Sequence, residues 1–328
     1  MKQKHLSLLV CPKTKRPLEL KISELVDDKI KEGFLVEPVS GDQYPIVNFI
    51  PRFVPVENYA SSFGFQWNVH WQTQLDHYAK IDLSGNRFFQ ETKWSSNLEN
   101  EIILEAGCGA GRFTKYAVDT KAIVISFDYS QAVDANYKVN GDHENLLLIQ
   151  ADIFNMPFRE NFFDKAFCFG VLQHTPDPEK AFQSIIQHLK PGGQIATDVY
   201  LRSWKNYFHV KPYIRPFVKK LSPEVLYKFT KKYVNFLWPA ARLVRSSRLG
   251  QKLISRFIAD RSEQLGKVND ELIREWAYLD TFDWFSPAFD KPQTKDQFYA
   301  WHQRAKLENI DVHYGFNGVE GRATKPKG

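Results

Sequence analysis

Residues 102–112 read Ile-Ile-Leu-Glu-Ala-Gly-Cys-Gly-Ala-Gly-Arg. An apolar run ends at an acid, Glu105, and three glycines then fall at alternate positions, Gly107, Gly109 and Gly111. A helix-like stretch follows over 113–118. This is the pattern of a buried parallel strand that turns sharply into a helix. The turn needs glycine both for unusual backbone angles and to let a ligand approach with no Cβ in the way. Dinucleotide-binding turns carry G-x-G-x-x-G, whereas here the third glycine comes one residue early and Arg112 follows it.

The rest of the chain supplies further strands at regular distances. Residues 122–128 are a second apolar strand ending in Asp128, 21 residues after Gly107. An acid there can accept hydrogen bonds from both hydroxyls of a ribose. A third strand, 146–150, leads to Ala151-Asp152-Ile153. A fourth, 163–170, ends at Gly170 and runs into Val171-Leu172-Gln173-His174. Pro176-Asp177-Pro178 opens a helix to Leu189, and Pro191-Gly192-Gly193 turns it into a fifth strand, 194–200. A later helix at about 294–307 precedes an edge hairpin formed by 309–314 and 321–324. Alternating strands and helices predict an α/β fold around a parallel sheet.

An acid two residues before a G-x-G-x-G turn resembles motif I of class I S-adenosylmethionine-dependent methyltransferases of the type 11-like group. The family's D-x-x-x-L-P-F stands here as residues 152–158, with Met156 in the leucine place. Its F-D is Phe163-Asp164, and its V-L-x-H is Val171 to His174. The resemblance covers 102–200 and, through the hairpin, reaches the last residues. It implies a Rossmann-like seven-stranded methyltransferase sheet whose final antiparallel strand is inserted into it. It also implies S-adenosyl-L-methionine as cofactor and S-adenosyl-L-homocysteine as product. The cofactor residues carried over are Glu105, Gly107, Cys108, Gly109, Gly111, Asp128, Tyr129, Asp152, Ile153 and Gly170. Asp152 would meet the adenine amino group, and Tyr129 would lie along the adenosine. The cofactor brings most of the reactivity, while the protein aligns the acceptor and removes a proton. His174, at the end of strand four, is the candidate general base because imidazole titrates near neutrality. Its other reading is a cap or packing group in the loop. Asp198, and Asp283 with Trp284, are further pocket candidates.

Outside this core, residues 1–56 resemble a zinc-ribbon-like module found ahead of some methyltransferases. That pattern pairs C-P-x-C with a later C-x-x-C before Y-P-I, and the four places here hold Cys11, Thr14, Glu37 and Ser40. A structural zinc site wants four sulfur or nitrogen donors. We therefore expect a ribbon without metal, held by its own small apolar core, either as a substrate- or partner-binding cap or as a purely structural unit. Residues 57–100 are rich in aromatics that need partners to bury against. Phe63-Gly64-Phe65-Gln66-Trp67 and Arg87-Phe88 resemble the helical lid of a bacterial subgroup with the same ribbon. Two readings stay open: Gln66 or Arg87 touches the methionine carboxylate or the substrate, or these polar groups only cap helices. The expected division is then 1–56 ribbon, 57–100 lid, 101–200 cofactor-binding core, 201–290 basic helical insertion and substrate cap, and 291–328 last helix and hairpin.

The net charge of +6 conceals an uneven distribution. Residues 201–260 hold 14 Lys or Arg against two acids, leaving 30 basic and 36 acidic residues elsewhere, so one basic segment sits on a mildly acidic body. Leu226, Phe229, Tyr233, Phe236 and Leu237 fit one helix face in that segment. Such a helix can lie on an anionic membrane or face an acidic partner, or simply cover the substrate cleft with solvated lysines outside. Nucleic acid is not the expected partner. Basic aromatic surfaces do stack on single strands, but the charge is confined to one insertion and no Asn-Pro-Pro-Tyr or Asp-Pro-Pro-Tyr follows strand four. No apolar run reaches bilayer length, the first residues carry no cleavable signal pattern, and three scattered cysteines (Cys11, Cys108, Cys168) suit a reducing compartment. The expected location is the cytoplasm, with peripheral membrane contact open. The sequence thus reads as a methyltransferase acting on a small-molecule or lipid-linked acceptor. The alternative class is a non-catalytic scaffold binding through the basic insertion, against which the intact glycine turn and both downstream acids weigh. A dehydrogenase is disfavoured by the glycine spacing.

Overall fold

The computed structural model describes residues 1–55, 57–266 and 268–327; the expected boundaries at 56 and 328 fall on residues outside that set. The chain opens with four antiparallel strands in sequence order: β1 (Glu19–Val26), β2 (Lys29–Val36), β3 (Gln43–Val47) and β4 (Ile50–Pro51). This module lacks the separate core expected of it. Leu9, Cys11, Ile30, Leu35 and Ile46 belong to one buried cluster with Leu104, Phe127, Ile149 and Phe158 of the large sheet. A unit of some fifty residues buries too little apolar surface to stand alone, so it shares its neighbour's core. Val10 N–H donates to Pro157 O (2.9 Å) and Phe53 N–H to Gln150 O (2.8 Å). The Arg52 guanidinium donates to Asp134 (2.6 Å) and to Gln150 Oε1 (3.1 Å).

The four positions matching ribbon ligands are engaged within the chain. Cys11 Sγ lies 3.3 Å from Tyr44 Oη, and Glu37 accepts from the Val39 and Ser40 N–H groups (3.1 and 2.6 Å). Among the described residues, no group of three or more His, Cys, Asp or Glu is arranged to hold a metal.

Three helices follow, α1 (Ser61–Val69), α2 (Asp76–Ala79) and α3 (Ser84–Thr92). They lead into β5 (Ile102–Ala106), α4 (Thr114–Asp119), β6 (Ile123–Asp128), α5 (Ala132–Asn140), β7 (Leu146–Gln150), β8 (Phe163–Cys168), α6 (Pro178–His188) and β9 (Leu189–Val199). β5 and β7 are almost wholly apolar because they are covered on both faces. α6 starts where the sequence marks it: Asp177 accepts from Lys180 N–H (3.1 Å) and Pro178 occupies the first turn. Its end differs from expectation. The strand begins at once at Leu189, and Pro191-Gly192-Gly193 forms a bulge inside β9, where the pairing jumps from Phe163–Leu189 to Lys165–Gln194.

The basic segment carries α7 (Lys211–Val218), α8 (Pro223–Val244), α9 (Arg248–Ile254), α10 (Ser262–Leu265) and α11 (Asp270–Phe285). The chain closes with α12 (Lys295–Arg304), β10 (Glu308–Gly315) and β11 (Gly318–Thr324). The large sheet has the order β10-β11-β9-β8-β5-β6-β7, with β11 alone antiparallel and inserted between β9 and β10. This is the seven-stranded Rossmann-like arrangement expected from the sequence. The insertion hangs from a narrow neck, where Leu201 bridges Gln293 and Arg202 N–H donates to Gln293 O (2.8 Å). Its helix phase corrects one expectation. The buried face of α8 is Leu226, Thr230, Val234, Trp238 and Ala241, flanked by the half-buried Phe229, Tyr233 and Leu237, whereas Phe236 is 82% exposed.

The hydrogen bonds at these four positions of the N-terminal module carry a clear expectation. Purified protein should contain zinc far below one atom per chain by elemental analysis, and a chelator should leave its thermal midpoint unchanged. Stoichiometric zinc would contradict the reading.

Candidate active site

At the C-terminal ends of β5, β6, β8 and β9, the chain leaves β5 and β8 toward opposite neighbours, which opens a crevice in a doubly wound sheet. Lid and insertion border this crevice, which forms an open-mouthed cavity of about 590 Å³. Its floor is the glycine turn. Gly107, Gly109 and Gly111 all have positive φ (80°, 52° and 88°). A Cβ on Gly107 would stand 2.3 Å from Val171 Cγ2, and one on Gly109 would reach 3.3 Å from Trp67 Nε1, so the lid lies directly over the turn. Gly111 instead faces α5, against Asn136 and Asn140, and does not line the cavity.

The second strand holds this turn in place. Phe127 O accepts from both Gly107 and Cys108 N–H (2.8 and 2.9 Å), and Asp128 Oδ2 accepts from Gly109 N–H (3.0 Å). Asp128 Oδ1 takes Ser130 N–H and Oγ–H (2.8 and 2.7 Å). Burial pushes the Asp128 carboxyl up, and these donors oppose that by favouring the charged form. Since each carboxylate oxygen accepts twice, Oδ2 keeps capacity for a ligand. Tyr129 and Tyr59 pack ring to ring at 4.7 Å beside it. Ile153 lines the cavity, while Asp152 sits just behind, its Oδ1 taking Phe154 N–H (2.9 Å) and burial raising its carboxyl.

Glu105 lies beneath the cavity rather than on its wall. Its Oε2 accepts from Thr114 Oγ (2.5 Å) and Ser126 Oγ (2.6 Å), and burial pushes its carboxyl up to about 7. It ties β5 to β6 and α4. Gly170, with φ 75°, donates its N–H to Asp198 (2.5 Å). Asp198 is fully buried behind it and pairs with Arg87, which also pairs with Glu91. Arg87 therefore lines the cavity already doubly paired. The buried Gln66 also lines it, and its Oε1 has no partner among the described residues.

His174 lies on the cavity wall between the rings of Phe63 and Tyr200 (5.0 and 5.3 Å). Its Nδ1 is 3.1 Å from Phe289 O. A carbonyl can only accept, so in the neutral ring Nδ1 carries the proton and Nε2 keeps a lone pair. That Nε2 is buried without a partner among the described residues, and burial holds the imidazole pKa below its ordinary value. Asp283 also lines the cavity and accepts from Tyr200 Oη (3.1 Å). Its neighbour Trp284 does not reach the cavity: a helix turns it about 100° away, onto His209. The sequence reading assigned no role to Arg112, Arg261, Trp276, Asp280 and Tyr59, all on the wall. The available signal was two acids and a tryptophan at helical spacing on α11, facing a segment rich in arginine.

The donor set fits S-adenosylmethionine. Asp128 Oδ2 would accept from the ribose, the bare backbone of Gly107 and Gly109 admits close approach, and the orphaned Gln66 Oε1 would take an ammonium. The chain is also similar to known proteins. Residues 104–197 match the family described as Methyltransferase domain. A tRNA U34 carboxymethyltransferase of Nautilia profundicola is 31% identical over 35% of this chain and 43% of its own length. A sterol 24-C-methyltransferase of Kluyveromyces lactis is 33% identical over 30% of this chain and 28% of its own. Among solved structures, the CurJ carbon methyltransferase is similar at a TM-score of 0.47 and 13% identity, covering 82% of this chain and 61% of that one. The chain spans less than half the length of these two curated relatives. The glycine turn, the sheet order and the matched span together make the core of this chain a class I S-adenosylmethionine-dependent methyltransferase domain.

Proposed function

We propose that the protein transfers a methyl group from S-adenosylmethionine to a small-molecule or lipid-linked acceptor bearing an ionisable nucleophile. The observation that carries this reading is the unpartnered Nε2 of His174 in the same cavity as Asp128 and the glycine turn. When bound, the cofactor supplies an electrophilic sulfonium methyl. Asp128 and the turn hold it, Gln66 orients its amino-acid end, and lid and insertion exclude water. His174 takes the proton the acceptor loses, at Nε2, with Phe289 O fixing the tautomer. The cavity size suits a small molecule or the head of a larger one. The relatives' names span tRNA and sterols, so they do not choose the acceptor.

The outer surface of the insertion favours a lipid-linked acceptor. Phe217, Phe236, Leu243 and Leu249 are each about 80% exposed, among basic side chains of the same helices. The exposed Trp204, Tyr207, Phe208 and Tyr213 also adjoin one another: Tyr213 Oη donates to Tyr207 O (3.0 Å), the Trp204 and Phe208 rings lie 5.6 Å apart, and Arg256 lies over Phe208. Aromatics and aliphatics interspersed with Lys and Arg suit the surface of an anionic bilayer. None of the described helices is long and apolar enough to cross one. We place the protein in the cytoplasm, peripheral at the membrane.

Three expected outcomes follow. Calorimetry should give micromolar binding of S-adenosylhomocysteine, weakened about 10–100-fold in Asp128→Ala by loss of charged hydrogen bonds; no binding to folded wild type would sink the enzyme reading. His174→Gln should lower kcat about 10²–10⁴-fold while leaving homocysteine-product affinity within a few-fold. Because burial lowers the His174 pKa and the neutral ring is the active form, wild-type rate should rise with pH below the ordinary imidazole range and be flat at neutrality; the variant should lose that limb. Finally, the protein should co-sediment with vesicles containing phosphatidylglycerol but not with pure phosphatidylcholine, and Phe217→Ser with Phe236→Ser should reduce this at least several-fold. Equal partitioning to both vesicles, or to neither, would remove the membrane from the proposal.

A further inference from the structure

Among the described residues, one guanidinium that lines the cavity makes no ion pair. Arg87 is paired with Asp198 and Glu91, and Arg261 donates through Nε to Asp280 (2.5 Å) and through Nη1 to Gln264 Oε1 (3.0 Å). Arg112, which follows the last glycine of the turn, bonds only to neutral groups of the lid: Ser84 Oγ (2.7 Å) through Nε and Gln74 Oε1 (3.3 Å) through Nη1. Among the described residues it has no carboxylate within ion-pair distance, and its Nη2 has no partner. Its guanidinium lies over Phe113 and Trp276 (5.0 and 5.7 Å), and burial beside Arg87 pushes its pKa down to about 9. Asp76 and Asp280 act on it only from beyond ion-pair distance, and a half-buried cation without a direct carboxylate partner is costly unless an anion joins it. Trp276 and Asp280 are one turn apart on α11, so the helix brings Arg112 and the Arg261–Asp280 pair onto one patch of wall. That patch combines the end of the glycine turn with residues of the lid and the insertion.

We propose that Arg112, assisted by Arg261, is the subsite for an oxyanion, a phosphate or carboxylate, carried by the methyl acceptor. Two guanidinium forks are suited to planar or tetrahedral oxyanions, which they hold by paired N–H donors. The acceptor would then be an anionic molecule, anchored by its oxyanion under the lid with its nucleophile toward His174. This rests on the methyl-transfer reading, which independently requires S-adenosylhomocysteine to bind at the Asp128 end.

The test uses the full chain and inorganic phosphate as probe, with titrations read by calorimetry and by phosphorus NMR line broadening. Saturable phosphate binding to the S-adenosylhomocysteine-loaded protein, lost at least tenfold in Arg112→Met with product affinity unchanged, is the expected result. Arg112→Gln, which can keep the contacts to Ser84 and Gln74, should show the same loss and guards against misfolding of the first variant. If phosphate competes with S-adenosylhomocysteine, and both variants weaken that ligand at least tenfold, the guanidinium serves the cofactor's own carboxylate and the proposal fails. It also fails if loaded wild type takes up no phosphate, or takes it up equally in both variants, as an ion bound on the basic surface would be. Absence of S-adenosylhomocysteine binding to wild type would instead overturn the methyl-transfer reading, whatever phosphate does.

Discussion

A single carbonyl, that of Phe127, accepts the N–H groups of both Gly107 and Cys108. With the Asp128 carboxylate taking the next free amide, that of Gly109, it pins the turn after β5 to the end of β6. Everything functional in the cavity is placed relative to this clamp. Glu105 reinforces it from below by holding hydroxyls on β6 and α4. So deep a burial is tolerable because its Oε2 accepts from both hydroxyls. The positive φ values of the turn explain the three glycines, and the near contacts of Gly107 with Val171 and Gly111 with α5 explain why no methyl group fits at two of them.

The roof is assembled differently, from long-range polar ties between lid and insertion. Tyr227 Oη meets His70 Nε2 at 2.9 Å, while Thr73 and Tyr78 both donate to Glu275. Asp76 gathers Ser84 and Tyr116 beneath them. These contacts make the two least standard parts of the chain one structural body over the cavity. The roof of the cavity is thus set by pairings between residues more than 150 positions apart.

That difference explains what was legible in the sequence. Strands covered on both faces read as nearly continuous apolar runs, so β5, β6 and β7, with Glu105 and Asp128, stand out directly. The order of the sheet then follows from right-handed connections and the inserted last strand. Helices of the insertion read less well, because several of their faces are apolar: Phe236 looked like core beside Leu237 and is exposed, and Trp284 looked like pocket beside Asp283 and is not. Choosing between adjacent apolar residues needs the neighbour, not the period. The Pro191-Gly192-Gly193 bulge has the composition of a turn and is one only in sequence. Arg112 was visible as a departure from the dinucleotide pattern, but that it makes no ion pair among the described residues depends on what lid and insertion bring to it.

The shared core of the N-terminal strands with the large sheet has a consequence for how such a chain could arise and be dissected. Residues 50–53 lie along the outermost parallel strand, and the side chains of Leu9, Ile30 and Leu35 fill its apolar flank. The stretch that resembles other proteins is therefore not the stretch that is self-sufficient. Excised at its recognisable limits, the domain would present an open strand edge and an uncovered hydrophobic face, both prone to self-association. The unit of inheritance by resemblance and the unit of cooperative folding have different borders here.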